Sequence, residues 1–496
     1  MTSIKRKISW PQWALAIVAF IFVSIIKLHN YDRYPTPAHG EELLYSWSGI
    51  HLIETGVPVS WSTLDYPKEN LVFDGIVGDK SNLYMPAKLW RPWLDEPPLY
   101  SLLSGGAGHI YGDDRTKIIP PSHSRIPSVF ASIIASLLVF WTGFSFWGYG
   151  VGVLAMLYYG LSPILVFGSR LSVPENIIAM VSMAAMIMVK SYLKKPRLMY
   201  PIVWGMMAAV LGLMKPTGFF LAPLMMFLTV TKKRWSHSAV ILGLTLLGVA
   251  AFIAYGYYYD WDLFVRIVGI QGQRFAGWSG LSFIFNTPAY DISLMFDGWY
   301  IFGLFFALVY SLKRKKGTGL WLMSLFFFYW LLVATLSGTE QDLLPWYRYP
   351  LFPLIAIFGA LGIRKLYRRG DFFSVVLILG LLLTSRFFLA NEFRPTTPPN
   401  MFRLIFFLSA VPGLVYMAFR KRWGVTISRA IIITVVVLGL FLNARYIYSV
   451  FEIRCESKEC PFGPSTVFSE VRLPFLWRLL TPGDSIDMLT TRRPWL

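Results

Sequence analysis

The stretch WPQWALAIVAFIFVSII, residues 10–26, decides the class of this chain. It carries no charged side chain, follows Lys5-Arg6-Lys7, and runs into Lys27-Leu28-His29-Asn30. A membrane-spanning helix needs about 20 mostly apolar residues, and basic residues mark its cytoplasmic end. A secretory signal would end in a small-residue cleavage site, and Lys27-Leu28-His29-Asn30 is a poor one. The stretch is therefore expected to be a retained helix whose amino end is cytoplasmic.

Basic clusters set the topology outward from there. They are Lys5-Arg6-Lys7; Lys190, Lys194, Lys195 and Arg197; Lys232-Lys233-Arg234; Lys313, Arg314, Lys315 and Lys316; Arg364, Lys365, Arg368 and Arg369; and Arg420-Lys421-Arg422, together 21 of the 46 Lys and Arg residues. If all face the cytoplasm, each intervening stretch crosses the membrane an even number of times. Apolar runs satisfying that condition lie at 10–26, 126–147, 151–168, 173–189, 199–213, 218–230, 239–257, 295–312, 320–336, 350–363, 372–389, 401–419 and 427–442. The expected fold is an all-α polytopic membrane protein with about thirteen spans. Residues 199–213 and 218–230 are short, and form either a tight hairpin with Lys215 at its outer tip or a re-entrant pair. Residues 27–124 are polar and form a long first extracytoplasmic loop with short helices. A second outer loop covers 258–294, a third covers 337–349, and residues 443–496 form an extracytoplasmic tail.

Composition agrees. The 496 residues are 55% hydrophobic and 15% charged, against roughly 25% charged in a soluble domain. The net charge of +19 gathers in clusters flanking apolar runs. It forms no basic stripe interleaved with stacking aromatics, which argues against nucleic-acid binding. The runs are too continuous for outer-membrane barrel strands, which alternate. Cys455 and Cys460 are either one small-loop disulfide in an oxidising compartment or two thiols.

Charges near membrane depth invite a functional question. In His39-Gly40-Glu41-Glu42-Leu43-Leu44-Tyr45, two carboxylates sit side by side just after the first helix. They are open to two readings: a general base for a substrate hydroxyl, or acidic residues at the start of a helix over 41–55.

Several segments in order resemble the glycosyltransferase C superfamily, and within it glycosyltransferase family 39, the protein O-mannosyltransferases and lipid A aminoarabinose transferases. They are the Glu41-Glu42 pair; Pro97-Pro98-Leu99-Tyr100; Ser124-Arg125-Ile126-Pro127-Ser128; Leu161-Ser162-Pro163 through Arg170 with Pro174-Glu175; Gly212-Leu213-Met214-Lys215-Pro216; and Pro345-Trp346-Tyr347-Arg348-Tyr349-Pro350-Leu351-Phe352-Pro353. The likeness spans about 10–365. The organisation it implies is a catalytic transmembrane core over 1–365, further helices over 366–442, and the tail.

The resemblance implies transfer of a sugar from a polyprenyl-phosphate carrier to an acceptor hydroxyl, with inversion, on the extracytoplasmic face. Glu41 holds the place of the family's Asp and is the expected base, with Glu42 orienting the acceptor or binding a cation. The lipid phosphate needs cations, for which Arg suits by its fork. The candidates are Arg125, Arg170, Lys215 and Arg348, with snorkelling to the interface as the alternative. Tyr347 and Tyr349 offer hydroxyls or belong to the interfacial aromatic belt. Asp95-Glu96 stands where the family often has His before the prolines. It is an alternative base or metal ligand, or a solvated part of the loop. His39, Glu41 and Glu42 offer metal ligands without a compact spacing, so no obligatory metal is expected, though a divalent cation is compatible. The expected partners are the lipid-linked donor, a lipid, glycan or protein acceptor, and membrane lipids. The expected place is a prokaryotic plasma membrane rather than the endoplasmic reticulum. The rival reading is a flippase for a lipid-linked sugar, which would place charges near mid-membrane and show inverted repeats and broken helices.

Overall fold

The computed structural model describes residues 9–35, 39–78, 84–274, 297–313, 317–337, 345–385, 422–452 and 466–468. The side chains of His39 and Glu41, both cysteines and the expected span over 401–419 lie outside the described residues.

Helix α1, Trp10–Leu28, starts from a capping box in which Ser9 and Gln12 exchange hydrogen bonds, with proline in its first turn. This satisfies amide groups that a helix start would leave unpaired. The chain then builds α2 (His39–Thr55), strands β1 (Ser60–Trp61), β2 (Leu71–Gly78) and β3 (Tyr84–Trp90), and α3 (Pro98–Ile110) before re-entering the bundle. The strands form an antiparallel sheet in the order β1-β3-β2, with Ser60 opposite Trp90 and Gly75 opposite Ala87. The expectation of an all-α chain with only short helices in this segment is thus corrected. The run Leu71-Val72-Phe73 favours a strand through its β-branched and aromatic residues. Helices α2 and α3 touch backbone to backbone. A Cβ on Gly49 would lie 1.8 Å from the Ser101 carbonyl oxygen, and one on Gly105 would lie 2.3 Å from the Ile50 nitrogen.

The bundle follows: α4 (Ile126–Trp147), α5 (Tyr149–Leu161), α6 (Pro163–Gly168), α7 (Glu175–Lys194), α8 (Met199–Gly212), α9 (Leu221–Val230), α10 (Trp235–Tyr259), α11 (Trp261–Gly272), α12 (Gly298–Ser311), α13 (Thr318–Leu336), α14 (Phe352–Arg369), α15 (Phe372–Leu383) and α16 (Arg422–Ser449). The tail adds a two-stranded pair, Val450–Glu452 with Thr466–Phe468. Gly148, at φ 95, makes the turn from α4 to α5, a conformation open to glycine without strain.

The single span expected over 151–168 is corrected to two helices. Ser162 is extended and Pro163 starts α6, because proline cannot donate to the turn before it. The break is satisfied from afar by Asp297, whose Oδ2 accepts from the Ser162 hydroxyl at 2.9 Å and the Ile164 amide at 3.1 Å. Its Oδ1 accepts from the Trp299 amide and caps α12. Residues 199–230 fold as α8 and α9 packed against each other, with Lys215 in the segment between them.

Seven of the described helices are long and apolar enough to cross a bilayer, and five apolar ones are shorter. Leu15, Val18 and Ile21 of α1 and Leu246 and Leu247 of α10 are exposed. In water such faces would be unusually large apolar patches, whereas in a bilayer they meet hydrocarbon. The chain is a multi-pass integral membrane protein. Among these seven helices the most enclosed is Trp346–Arg369, with 89% of its apolar window buried, lying against α5 and α12.

Candidate active site

The expected carboxylates and cations divide into two clusters where α2 and α3 meet the ends of the bundle helices.

The first cluster is closed on itself. At the start of α2, the Glu42 carboxylate accepts from Arg125 Nε at 2.7 Å and from its Nη2 at 2.9 Å, a two-pronged pairing. It also accepts from the Ser172 amide at 2.6 Å. Arg125 Nη1 donates to the Tyr31 carbonyl at 2.7 Å. Both side chains are almost fully buried, and such charges persist only when paired and hydrogen-bonded. Glu42 therefore ties α2 to the start of α4 and to the turn before α7. Arg170 is also fully buried. Its Nη2 donates to the Ile26 and His29 carbonyls, both at 2.7 Å, Nε to Lys27 and Nη1 to Tyr34. Residues 26–28 end α1, so the guanidinium meets carbonyls that lack helical partners and the negative pole of the helix. Neither arginine snorkels. Beside Arg170, Lys27 is buried too, donating to Ser169 Oγ at 2.9 Å above the Tyr159 ring.

The second cluster draws on four distant segments. Lys215 Nζ lies 2.7 Å from Glu175 Oε1, 4.0 Å from Glu96 Oε1 and 4.9 Å from the centre of the Tyr347 ring. The Leu99 amide donates to the Leu213 carbonyl at 3.0 Å, which brings the start of α3 against the turn carrying Lys215. Arg348 is buried with its guanidinium 5.2 Å above the Tyr300 ring. Tyr347 and Tyr349 are both buried, so the interfacial belt is not their place. Tyr45 is buried with its ring edge-on to Tyr100 at 5.0 Å.

Asp95 is a correction. It is buried rather than solvated in a loop, and accepts from the Ser62 and Tyr66 hydroxyls, each at 2.6 Å. Burial pushes its carboxyl up to about 6, against those hydrogen bonds and the charge of Arg274, which pull it down. Glu96 likewise is mostly buried. An acid with a higher pKa folded than unfolded holds its proton more tightly in the folded chain. Stability is then greatest below about pH 4 and falls as pH rises through about 6, by about 3 kcal/mol in all. Asp95→Asn is expected to remove that slope, read as thermal unfolding in detergent across the same interval. An identical slope in wild type and variant would show that Asp95 is not the group responsible.

Glu96, expected as an alternative base, a metal ligand or a solvated loop residue, lies beside Lys215 and Tyr347, both expected at the lipid phosphate. Sequence reasoning passed over Glu175 as a ligand of Lys215, although Pro174-Glu175 stood within a quoted motif, because the partner is 40 residues away. It also passed over Asp297. Among the described residues, no three His, Cys, Asp or Glu side chains gather as a metal site; His39 and Glu41 fall outside that statement.

Residues 95–258 match the family model described as dolichyl-phosphate-mannose-protein mannosyltransferase. That stretch supplies Glu96, Arg125, Arg170, Glu175 and Lys215. The structure is similar to ArnT from Cupriavidus metallidurans in the apo state, at 13% identity and TM-score 0.50, covering 88% of this chain and 74% of that one. It is similar also to arabinosyltransferase EmbB from Mycobacterium smegmatis, at 14% identity and TM-score 0.51, covering 89% of this chain but 41% of that one. The chain has the glycosyltransferase C fold. No curated protein matches it in sequence. Within the glycosyltransferase C fold, both clusters lie where the segment between α1 and α4 meets the helices.

Proposed function

We propose that this protein is a glycosyltransferase that moves a sugar from a polyprenyl-phosphate-linked donor to an acceptor hydroxyl. The observation that carries the reading is the cluster of Lys215, Glu175, Glu96 and Tyr347, three of whose members fall inside the matched family stretch. The acceptor oxygen bonds to the anomeric carbon from the face opposite the phosphate, and the carbon–oxygen bond to the lipid phosphate breaks. The acceptor's proton passes to Glu41, and polyprenyl phosphate leaves. Phosphate is a good leaving group, so one base suffices, unlike glycoside hydrolysis with its two carboxylates.

Lys215 and Arg348 are the cations proposed to meet the departing phosphate, in a low-dielectric setting where a charge acts strongly. Arg125 and Arg170 spend their donors on Glu42 and on backbone carbonyls, and take the part of scaffold. Glu175 and Glu96 hold Lys215 in place. The proposed setting is a prokaryotic plasma membrane with the site on its outer face, and a lipid, glycan or protein acceptor.

The test is transfer from radiolabelled polyprenyl-phosphate sugars in membranes holding the wild type or Lys215→Met. The variant is expected to lose on the order of 10²–10³-fold in rate, the loss typical of removing a charge-stabilising group. Wild-type rates in the variant would remove Lys215 from the site. Carrier lipid crossing the bilayer without sugar transfer would establish the flippase reading instead. No metal is proposed to be obligatory. Loss of transfer on chelation, restored by one divalent ion, would overturn that.

A further inference from the structure

At the opposite end of the bundle, away from both clusters, a cavity of about 840 Å³ opens between α1, the α4–α5 turn, α14 and α16. That size is in the range of sites that enclose small amphiphiles. Its walls are mostly apolar, with Leu154, Ile363, Ile432 and Val436 among them, and Ile433 and Val437 line it as exposed side chains of α16. Its charged element is Arg364, beside the polar side chains of Gln12, Tyr149 and Tyr367, and it is held there because Nη1 donates to the Trp147 carbonyl at 2.9 Å. Guanidinium has five N–H donors, so that bond orients the group without exhausting it.

Charge at this end is one-sided. Lys365 and Arg368 follow Arg364, and Arg429 donates to the Tyr367 and Arg368 carbonyls. Among the described residues, no carboxylate lies within ion-pair distance of Arg364, Lys365, Arg368 or Arg429. Asp371 pairs with Arg369 instead. An apolar hollow at helix ends with a cationic rim is complementary to one chemistry, an acyl chain carrying an anionic head. Basic pockets between transmembrane helices on the cytoplasmic side bind anionic phospholipid heads.

We infer that this cavity binds an anionic phospholipid of the surrounding bilayer, with its head at Arg364 and a chain along α16. It is a lipid site separate from the proposed donor site, on the side the basic clusters mark as cytoplasmic.

The experiment is native mass spectrometry of the delipidated full chain, titrated with phosphatidylglycerol and with phosphatidylcholine of the same acyl chains. Wild type is expected to retain phosphatidylglycerol at least about fivefold better, the preference expected of a single basic residue near a lipid head. Arg364→Gln should erase most of that preference. Val437→Trp, at an exposed wall where a larger side chain has room, should lower retention of both lipids alike and so tests the site even if Arg364→Gln does not fold. Equal retention of the two lipids by wild type would overturn the assignment. So would an unchanged preference in Arg364→Gln, unchanged retention in Val437→Trp, or a second copy of the chain bound in place of lipid.

Discussion

Glu41→Gln is expected to lower sugar transfer by about 10²–10⁴-fold, the range lost with a general base, while unfolding at the temperature of wild type. The amide keeps the shape of the side chain and removes its capacity to take a proton. Glu42→Gln is the informative comparison. The two residues are adjacent, but Glu42 accepts from both prongs of a buried guanidinium and from the Ser172 amide. A carboxylate so engaged has its lone pairs committed to protein donors and is a strong structural tie. Its replacement should therefore appear first as lost stability, and as lost transfer only in proportion to the folded fraction. Transfer rates normalised to folded protein separate the two. If Glu41→Gln transfers normally on that scale, Glu41 is no base. If Glu42→Gln is instead the inactive but stable variant, the roles are reversed.

Arg125→Met is expected to destabilise the protein by about 3–5 kcal/mol, the usual cost of removing one partner from a buried ion pair. The methionine fills much of the space but leaves the Glu42 carboxylate buried without its cation. The double variant Glu42→Gln with Arg125→Met should regain a large part of the loss, since an uncharged buried pair carries a far smaller desolvation cost. Thermal unfolding of the two single variants and the double variant in detergent measures the coupling as a double-mutant cycle. Additive losses would show that the two side chains do not act as a pair.

These two expectations mark the boundary between what local sequence encodes and what it does not. The membrane class was legible in residues 10–26 alone, because the bilayer imposes a length and an apolarity that no packing partner has to supply. The seven described helices long and apolar enough to cross a bilayer were legible for the same reason. The break at Ser162-Pro163 was written in the proline, yet the carboxylate that makes it tolerable, Asp297, arrives from 135 residues away. The β-sheet before α3 was missed because residues 71–78 and 84–90 alternate weakly and pair with each other.

The residues themselves determined that this chain crosses a membrane many times, that it carries an acidic pair just after the first helix, and that Lys215 sits in a short turn between apolar stretches. Tertiary structure alone decided which charge meets which. Arg125 and Lys215 read alike from sequence, as cations at helix ends. The fold closes one on Glu42 across 83 residues and sets the other between Glu96 and Glu175 beside Tyr347. The physical reason is that a buried charge is stable only beside its counter-charge. The identity of that counter-charge depends on which helix ends are brought together, a property of the packed bundle that no short segment contains.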